Sequence, residues 1–283
     1  MRTRLSFLGD LGGTTLRDEV GMYSWPPLAD VPTKYMSVTS ILSTLNKPGL
    51  NRWHAAKERE YLKSRLEALR RGEIKGQEII KEFCSDKDWT SKAEAYRNER
   101  ADLGTMVHHL ITRYVIGRED GTLLNSNVTA MIVPWGNIPE HLWPVLTPYI
   151  LSFHKWYEQE IPSYLFVEGP VFNTEHKYAG TSDALIAFRD GTFIVDYKIS
   201  PKSTRDHSLQ LAAYRHADFI GIRNTGQEIP LPKTDGGKIL LIHEDGCHLH
   251  DHQCGEREFE VFLHAQDVHK WRNFEYQAKG EEW

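Results

Sequence analysis

The stretch "GTSDALIAFRDGTFIVDYKIS", residues 180–200, decides how the chain is read. Leu185, Ile186 and Phe188 form one apolar run, and Phe193, Ile194 and Val195 form a second. Short apolar runs bounded by turn residues read as strands. Asp190-Gly191 between them predicts a two-residue hairpin turn. Pairing outward from that turn sets Arg189 opposite Thr192, Phe188 opposite Phe193 and Asp183 opposite Lys198. Alternation along a strand then puts Asp196 and Lys198 on one face. Asp183 becomes the cross-strand partner of Lys198 and a diagonal neighbour of Asp196, at about 7 Å or less. A slip of one residue would separate the three charges. Charges in apolar company are costly unless they are paired or hold a metal. Two carboxylates pointing into one space repel unless something positive lies between them. Their hard oxygens suit Mg²⁺ or Mn²⁺, and a buried Asp–Lys pair that only supports a strand is the alternative.

On either side of the hairpin the chain changes character. Downstream, "SLQLAAYRHADFI" reads as a helix, "KILLIHEDGCHLH" and "REFEVFLH" as further strands, and "AQDVHKWRNFEYQ" as a closing helix. Upstream, "YLFVEGPVFN" reads as the strand before the hairpin. Before it come helical patterns at about 51–71, 74–84, 93–116 (with a break near Gly104) and 141–160, joined by a loop-like 117–141. Ser37 or Thr39 caps a short helix carrying Ile41, Leu42 and Leu45, ended by Pro48-Gly49. Residues 1–36 read as an irregular arm. The expected organisation is therefore one domain over 37–283, mainly helical over 37–160 and sheet-based over 161–283, of α/β class.

Composition sets outer bounds. With 283 residues, 40% hydrophobic and 26% charged, the chain has the make-up of a globular protein able to bury a core. No apolar run approaches the roughly 18 residues that span a bilayer, so no membrane partner is expected. Asp10, Asp18 and Glu19 argue against a transit peptide. Cys84, Cys247 and Cys254 are scattered, which suits a reducing cytoplasm, as in a bacterial or phage-infected cell. A net charge of −5 excludes a uniformly basic nucleic-acid binder but leaves room for a local basic groove.

The order Glu168, Gly180, Asp183, Asp196-Tyr197-Lys198, Gln210 and Tyr214 resembles the PD-(D/E)XK nuclease superfamily. Within it the chain resembles the RecB-like exonucleases, with their G-x-x-D, D-x-K and Q-x-x-x-Y elements. "GTMVHHL", residues 104–110, resembles that branch's G-T-x-x-H helix. "SVTSILSTLNKPGLNRW", residues 37–53, resembles the S-V-T stretch of phage-type and mitochondrial-genome-maintenance-type exonucleases. The resemblance touches most of residues 37–214, and it departs at Asp196, where many members carry Glu.

The resemblance implies a restriction-endonuclease-like core, a mixed sheet flanked by helices with a helical N-terminal portion. It implies a Mg²⁺- or Mn²⁺-dependent deoxyribonuclease, with one or two ions, acting on single-stranded DNA or DNA with a free end in repair or recombination. Asp183, Asp196, His108 and the backbone carbonyl of Tyr197 would be the metal ligands. Lys198 would orient or deprotonate the attacking water, and Glu168 would contact the metal's water shell. Gln210 and Tyr214, four apart on one helical face, would fasten the catalytic loop or a phosphate. Ser37 and Thr39 come with the S-V-T stretch as DNA contacts. The four cysteines of the iron–sulfur relatives are absent, so no such cluster is expected.

Other residues carry weaker signals. The loop "SPKSTRDHS" brings Lys202, Arg205 and His207 directly after the strand with Asp196, which suits phosphate contacts; a solvated charged loop is the alternative. Arg52, Lys57, Arg65, Arg70 and Arg71 line either a solvated helix face or a strand-guiding channel. Periodicity places Leu103, Val107, Leu110, Ile111 and Tyr114 on a buried stripe, with His108 at its edge and His109 turned toward Arg113. In "HEDGCHLHDHQC" no C-x-x-C pair or ordered Cys–His spacing supports zinc, and His248, His250 and His252 alternate like one face of an exposed strand. An endonuclease, a nuclease module of a recombination complex, and a catalytically inactive DNA-binding protein on the same fold are the competing functions. Protein partners are not legible.

Overall fold

Leu185 to Phe188 and Ile194, Val195 and Tyr197 alternate between two apolar faces, so both faces of these strands demand a covering layer. The computed structural model describes residues 16–18, 21–45, 48–84, 92–119, 121 and 138–275. Within them the chain is α/β, with a mixed nine-stranded sheet flanked by helices. The strands are β1 (Met22–Trp25), β2 (Thr33–Ser37), β3 (Ser163–Asn173), β4 (Tyr178–Phe188), β5 (Gly191–Lys198), β6 (Phe219–Gly221), β7 (Glu228–Pro230), β8 (Gly236–Ile242) and β9 (Cys247–His252). They run in the order β7-β6-β3-β4-β5-β8-β9, with the β1–β2 ribbon joined to β4 through β2.

The helices are α1 (Val38–Leu42), α2 (Pro48–Arg70), α3 (Gly76–Cys84), α4 (Lys92–Glu119), α5 (Trp143–Glu160), α6 (Arg205–Arg215) and α7 (Glu256–Lys270). One sheet face packs against α1, α6 and α7 through a core that joins Ile41, Leu185, Ile194, Leu211, Tyr214, Ile239 and Phe262. The other face meets α5 and the C-terminal part of α4: the Phe153 ring lies 5.7 Å from Tyr114 and 6.0 Å from Tyr197, centroid to centroid. Residues 46–105, with α2, α3 and the start of α4, form a separate compact unit. Inside it Trp53 packs on Tyr96, whose ring also takes the Lys57 ammonium.

Four expectations are corrected. The arm over residues 1–36 contributes β1 and β2 to the sheet. α4 runs through Gly104 without a break. "REFEVFLH" is helical: Phe259, Phe262 and Gln266 are buried at the 3–4 spacing of a helix, and Gly255 precedes its first turn. The β4–β5 hairpin turns at Arg189-Asp190, pairing Phe188 with Gly191 and Ala184 with Val195. This register differs by two residues from the one predicted. Gly191 carries the positive φ of 149°, and a Cβ there would sit 2.6 Å from Asp235. A shift of two preserves the faces, so Asp183, Asp196 and Lys198 still share one. The loop-like stretch 117–141 lies largely outside the described residues, as does most of the arm before Leu16.

Candidate functional site

β4 is paired unevenly. On one edge β3 follows it from Ala187 to Tyr178. On the other, β5 covers Phe188 to Ala184, and β2 covers only Tyr178 and Ala179. Residues 180–183, the G-x-x-D segment, therefore lie in a gap between the ends of β2 and β5. Ser37 closes β2 at this gap, and its Oγ is hydrogen-bonded to Thr39 Oγ1 at 2.8 Å. Tyr23 reaches in from β1, with its hydroxyl 3.2 Å from Thr181 Oγ1.

Gly180 is required by a close approach. A Cβ at this position would stand 2.6 Å from Cε1 of Tyr214. Tyr214 lies buried against β4, and its hydroxyl accepts a 2.9 Å hydrogen bond from Gln210 Nε2. The Gln–Tyr pair thus acts as one unit on α6.

The charged groups gather at the same gap. Continuing the observed register one step past Ala184–Val195 sets Asp183 opposite Asp196. The β4–β5 ladder stops there, and Asp183 Oδ2 accepts the Tyr197 N–H at 2.7 Å. Asp183 Oδ1 lies 3.4 Å from Nδ1 of His108. Asp196 is 2% exposed, and its Oδ2 touches the Lys198 ammonium while accepting no hydrogen bond of ordinary geometry. Burial pushes the Asp196 carboxyl up; Lys198 opposes this, the Asp183 charge adds to it, and the result is about 6. Asp183 moves down: burial works against ionisation, but His108, Lys198 and the Tyr197 N–H outweigh it. His108 and Lys198 are both raised, because burial is outweighed by Asp183 for the first and by Asp196 for the second. The two carboxylates are thus held at different affinities for a proton.

Asp183, Asp196, Lys198, His108, Gln210 and Tyr214 are brought together, with Ser37 and Thr39 at the rim of the gap. Tyr197 turns its ring to the opposite face, where its hydroxyl meets that of Tyr164 at 2.9 Å. Glu168 stands opposite Asp183 on the β3 side by register. Its φ of 45° is unusual for a non-glycine residue and costs about 1–2 kcal/mol. Its Oε2 accepts a 2.8 Å bond from Thr112 on α4. His109 accepts from Arg113 at 3.1 Å, as its position round the helix predicts.

Lys202, on the loop after β5, and Arg205, the first residue of α6, are exposed. His207 is used differently from a phosphate contact, since its Nδ1 accepts the Thr204 N–H at the start of α6. Two polar groups escaped the sequence reading, Tyr23 and Thr112; only the pairing of β1 with β2 and the helical face of Thr112 bring them near the site. Among the described residues no group of three or more His, Cys, Asp or Glu side chains is arranged to hold a metal ion as it stands. In segment 243–254 the rings go to separate partners: His243 donates to the Ser200 carbonyl at 2.9 Å, and His252 bonds Ser208 at 3.0 Å. No helix among the described residues is long and apolar enough to cross a membrane. No family model matches the chain, and no curated protein matches its sequence.

Proposed function

We propose that the chain is a metal-dependent deoxyribonuclease of the PD-(D/E)XK type, close to the RecB-like exonucleases, acting from the ends of single-stranded DNA. The observation that carries this reading is the convergence of Asp183, Asp196, Lys198 and His108 at the uncovered edge of β4. The donor chemistry fits a hard divalent cation. Two carboxylates meet in a buried gap, and an imidazole stands beside them. Asp183, Asp196, His108 and the Tyr197 carbonyl would hold the ion. When bound, it would lower the pKa of a water and polarise the scissile phosphoryl oxygen.

The chain's own groups do the rest. Lys198 would leave Asp196 for the phosphate oxygens, steadying the charge that grows as the bond breaks. Gln210 and Tyr214 would fix the strand end and the loop after it. The Tyr197 N–H holds Asp183 in place through its 2.7 Å bond, which orients the carboxylate toward the gap. The choice of DNA, of ends and of repair or recombination rests on the sequence resemblance.

A second reading has its own support. Each carboxylate already faces a basic partner, Lys198 for Asp196 and, when its ring is protonated, His108 for Asp183, so the cluster can balance itself as a structural ion-pair set would. That arrangement suits a DNA-binding protein without cleavage. One experiment separates the two: end-labelled single strands incubated with Mg²⁺, Mn²⁺ or EDTA. Under the nuclease reading, cleavage needs metal, and Asp183→Ala or Asp196→Asn reduces it on the order of 10²–10³-fold while strand binding persists. Full cleavage in EDTA, or by Asp183→Ala, rejects it.

A further inference from the structure

The pairing of β5 with β8 and of β8 with β9 carries the candidate site's face outward to the sheet edge. Lys198 pairs with Leu241 and Leu241 with His248; Asp196 pairs with Ile239 and Ile239 with His250. Directly paired residues point to the same side of a sheet. His248 and His250 therefore stand on the face that carries Asp196 and Lys198, two strand spacings away, or about 10 Å. Both are exposed. Asp251, the residue after His250, points the other way and bonds Lys238 at 2.6 Å.

The loop after β5 is tied to the same edge. His243 holds its start through the Ser200 carbonyl, and His252 holds its end through the Ser208 hydroxyl. Between these anchors Lys202 on the loop and Arg205 at the start of α6 face solvent. The His243 and His248 rings are 5.6 Å apart at 58°. Aromatic rings beside a basic groove are what single-stranded nucleic acid takes when it is bound without regard to sequence.

We propose that His248 and His250, with Lys202 of the anchored loop and Arg205 at the start of α6, form a track that holds a single-stranded nucleic acid. The direction of that strand rests on the nuclease reading; the binding surface does not. Imidazoles stack on bases and donate to phosphate, whereas the two cations hold the backbone.

The test measures binding in EDTA, so cleavage does not enter. A fluorescent single strand of about 20 nucleotides should bind the His248→Ala/His250→Ala protein about tenfold more weakly than wild type. Because both residues are exposed, thermal unfolding should match wild type. Photo-crosslinking of the unaltered protein to a strand carrying 5-iodouracil should label the peptide with residues 247–252, which needs no variant. Equal affinity of both proteins for the strand, or labelling only elsewhere, overturns the track. If the wild-type protein cleaves and binds while the histidine variant binds equally well, the track alone falls. If wild type neither cleaves nor binds, both readings fall.

Discussion

Asp196 is pulled two ways: burial and the Asp183 charge favour its neutral form, and the Lys198 ammonium favours its ionised one. Its folded pKa of about 6 lies above the value near 3.9 of an unfolded aspartate, so the folded state binds the extra proton between those limits. Stability from this group therefore falls as pH rises through that window, and the full penalty stands above about pH 6. In EDTA, the melting temperature of wild type relative to Asp196→Asn should climb as pH drops from about 7.5 to about 5. A difference that stays flat with pH would show that Lys198 fully compensates the carboxylate. His108, held down by burial but raised on balance by Asp183 and also by Asp196, loses that second contribution in Asp196→Asn, which adds to the comparison in the same direction. Its own role is checked in activity: under the proposed chemistry His108→Ala should lose most cleavage and shift preference between Mn²⁺ and Mg²⁺, since imidazole is the softer ligand. His109→Ala, whose ring serves Arg113, should stay near wild type. Equal tolerance at both positions would remove His108 from the site. The 3.6-residue period separated these two histidines in the sequence, because one position round a helix turns a side chain by about 100°. The contact partner of Asp183 was not legible, because the hairpin register depends on which two residues turn. Asp190-Gly191 looks like the better turn dipeptide, yet the chain uses Arg189-Asp190 and spends Gly191 on a crowded contact with Asp235.

At the level of elements, the site exists because two strands share one edge of β4 without meeting. β5 was readable from its apolar run. β2 was hidden, since its parallel pairing with β4 involves only Met36 and Ser37, and "TKYMS" has no long alternation to announce it. β6 and β7, three residues each, are too short for any period to register. The helix α6 was legible from its apolar spacing, though its first turn is polar and carries no apolar period; Thr204 stands in extended backbone before it and His207 bonds back to the Thr204 N–H. The Gly180–Tyr214 approach joins α6 to the gap and makes a sharp prediction. In Gly180→Ala the new methyl meets a buried ring at 2.6 Å, so either the ring or the strand must move, at about 1–3 kcal/mol. Tyr214→Ala alone costs about 3–5 kcal/mol through the cavity left behind. The double variant should be less destabilised than the sum of the two, because removing the ring removes the clash. Additive losses in urea melts would mean that the two residues do not press on each other.

For the whole molecule, the net charge of −5 demands that any nucleic-acid affinity be local, and the cations after β5 supply one such locality. The helices over 46–105 form a unit of their own, so the mainly helical N-terminal portion anticipated over 37–160 is divided: α1 and α5 belong to the sheet's own layers, and α2 and α3 do not. Composition and periodicity could place each helix but not say which body it joins, because an amphipathic stripe does not name its partner. The proposed exonuclease action is a property of the complete molecule and is tested as such. An enzyme that must be given an end leaves a closed circle intact, since no phosphodiester of a circle is terminal. Linear single strands should therefore be shortened stepwise in Mn²⁺ or Mg²⁺, and circular strands of the same sequence should survive the same incubation. A single prior nick should make the circle as good a substrate as the linear strand. Rapid conversion of intact circles to linear molecules would reject end-dependence and move the assignment to an endonuclease, with the charged cluster at the edge of β4 unchanged in its role.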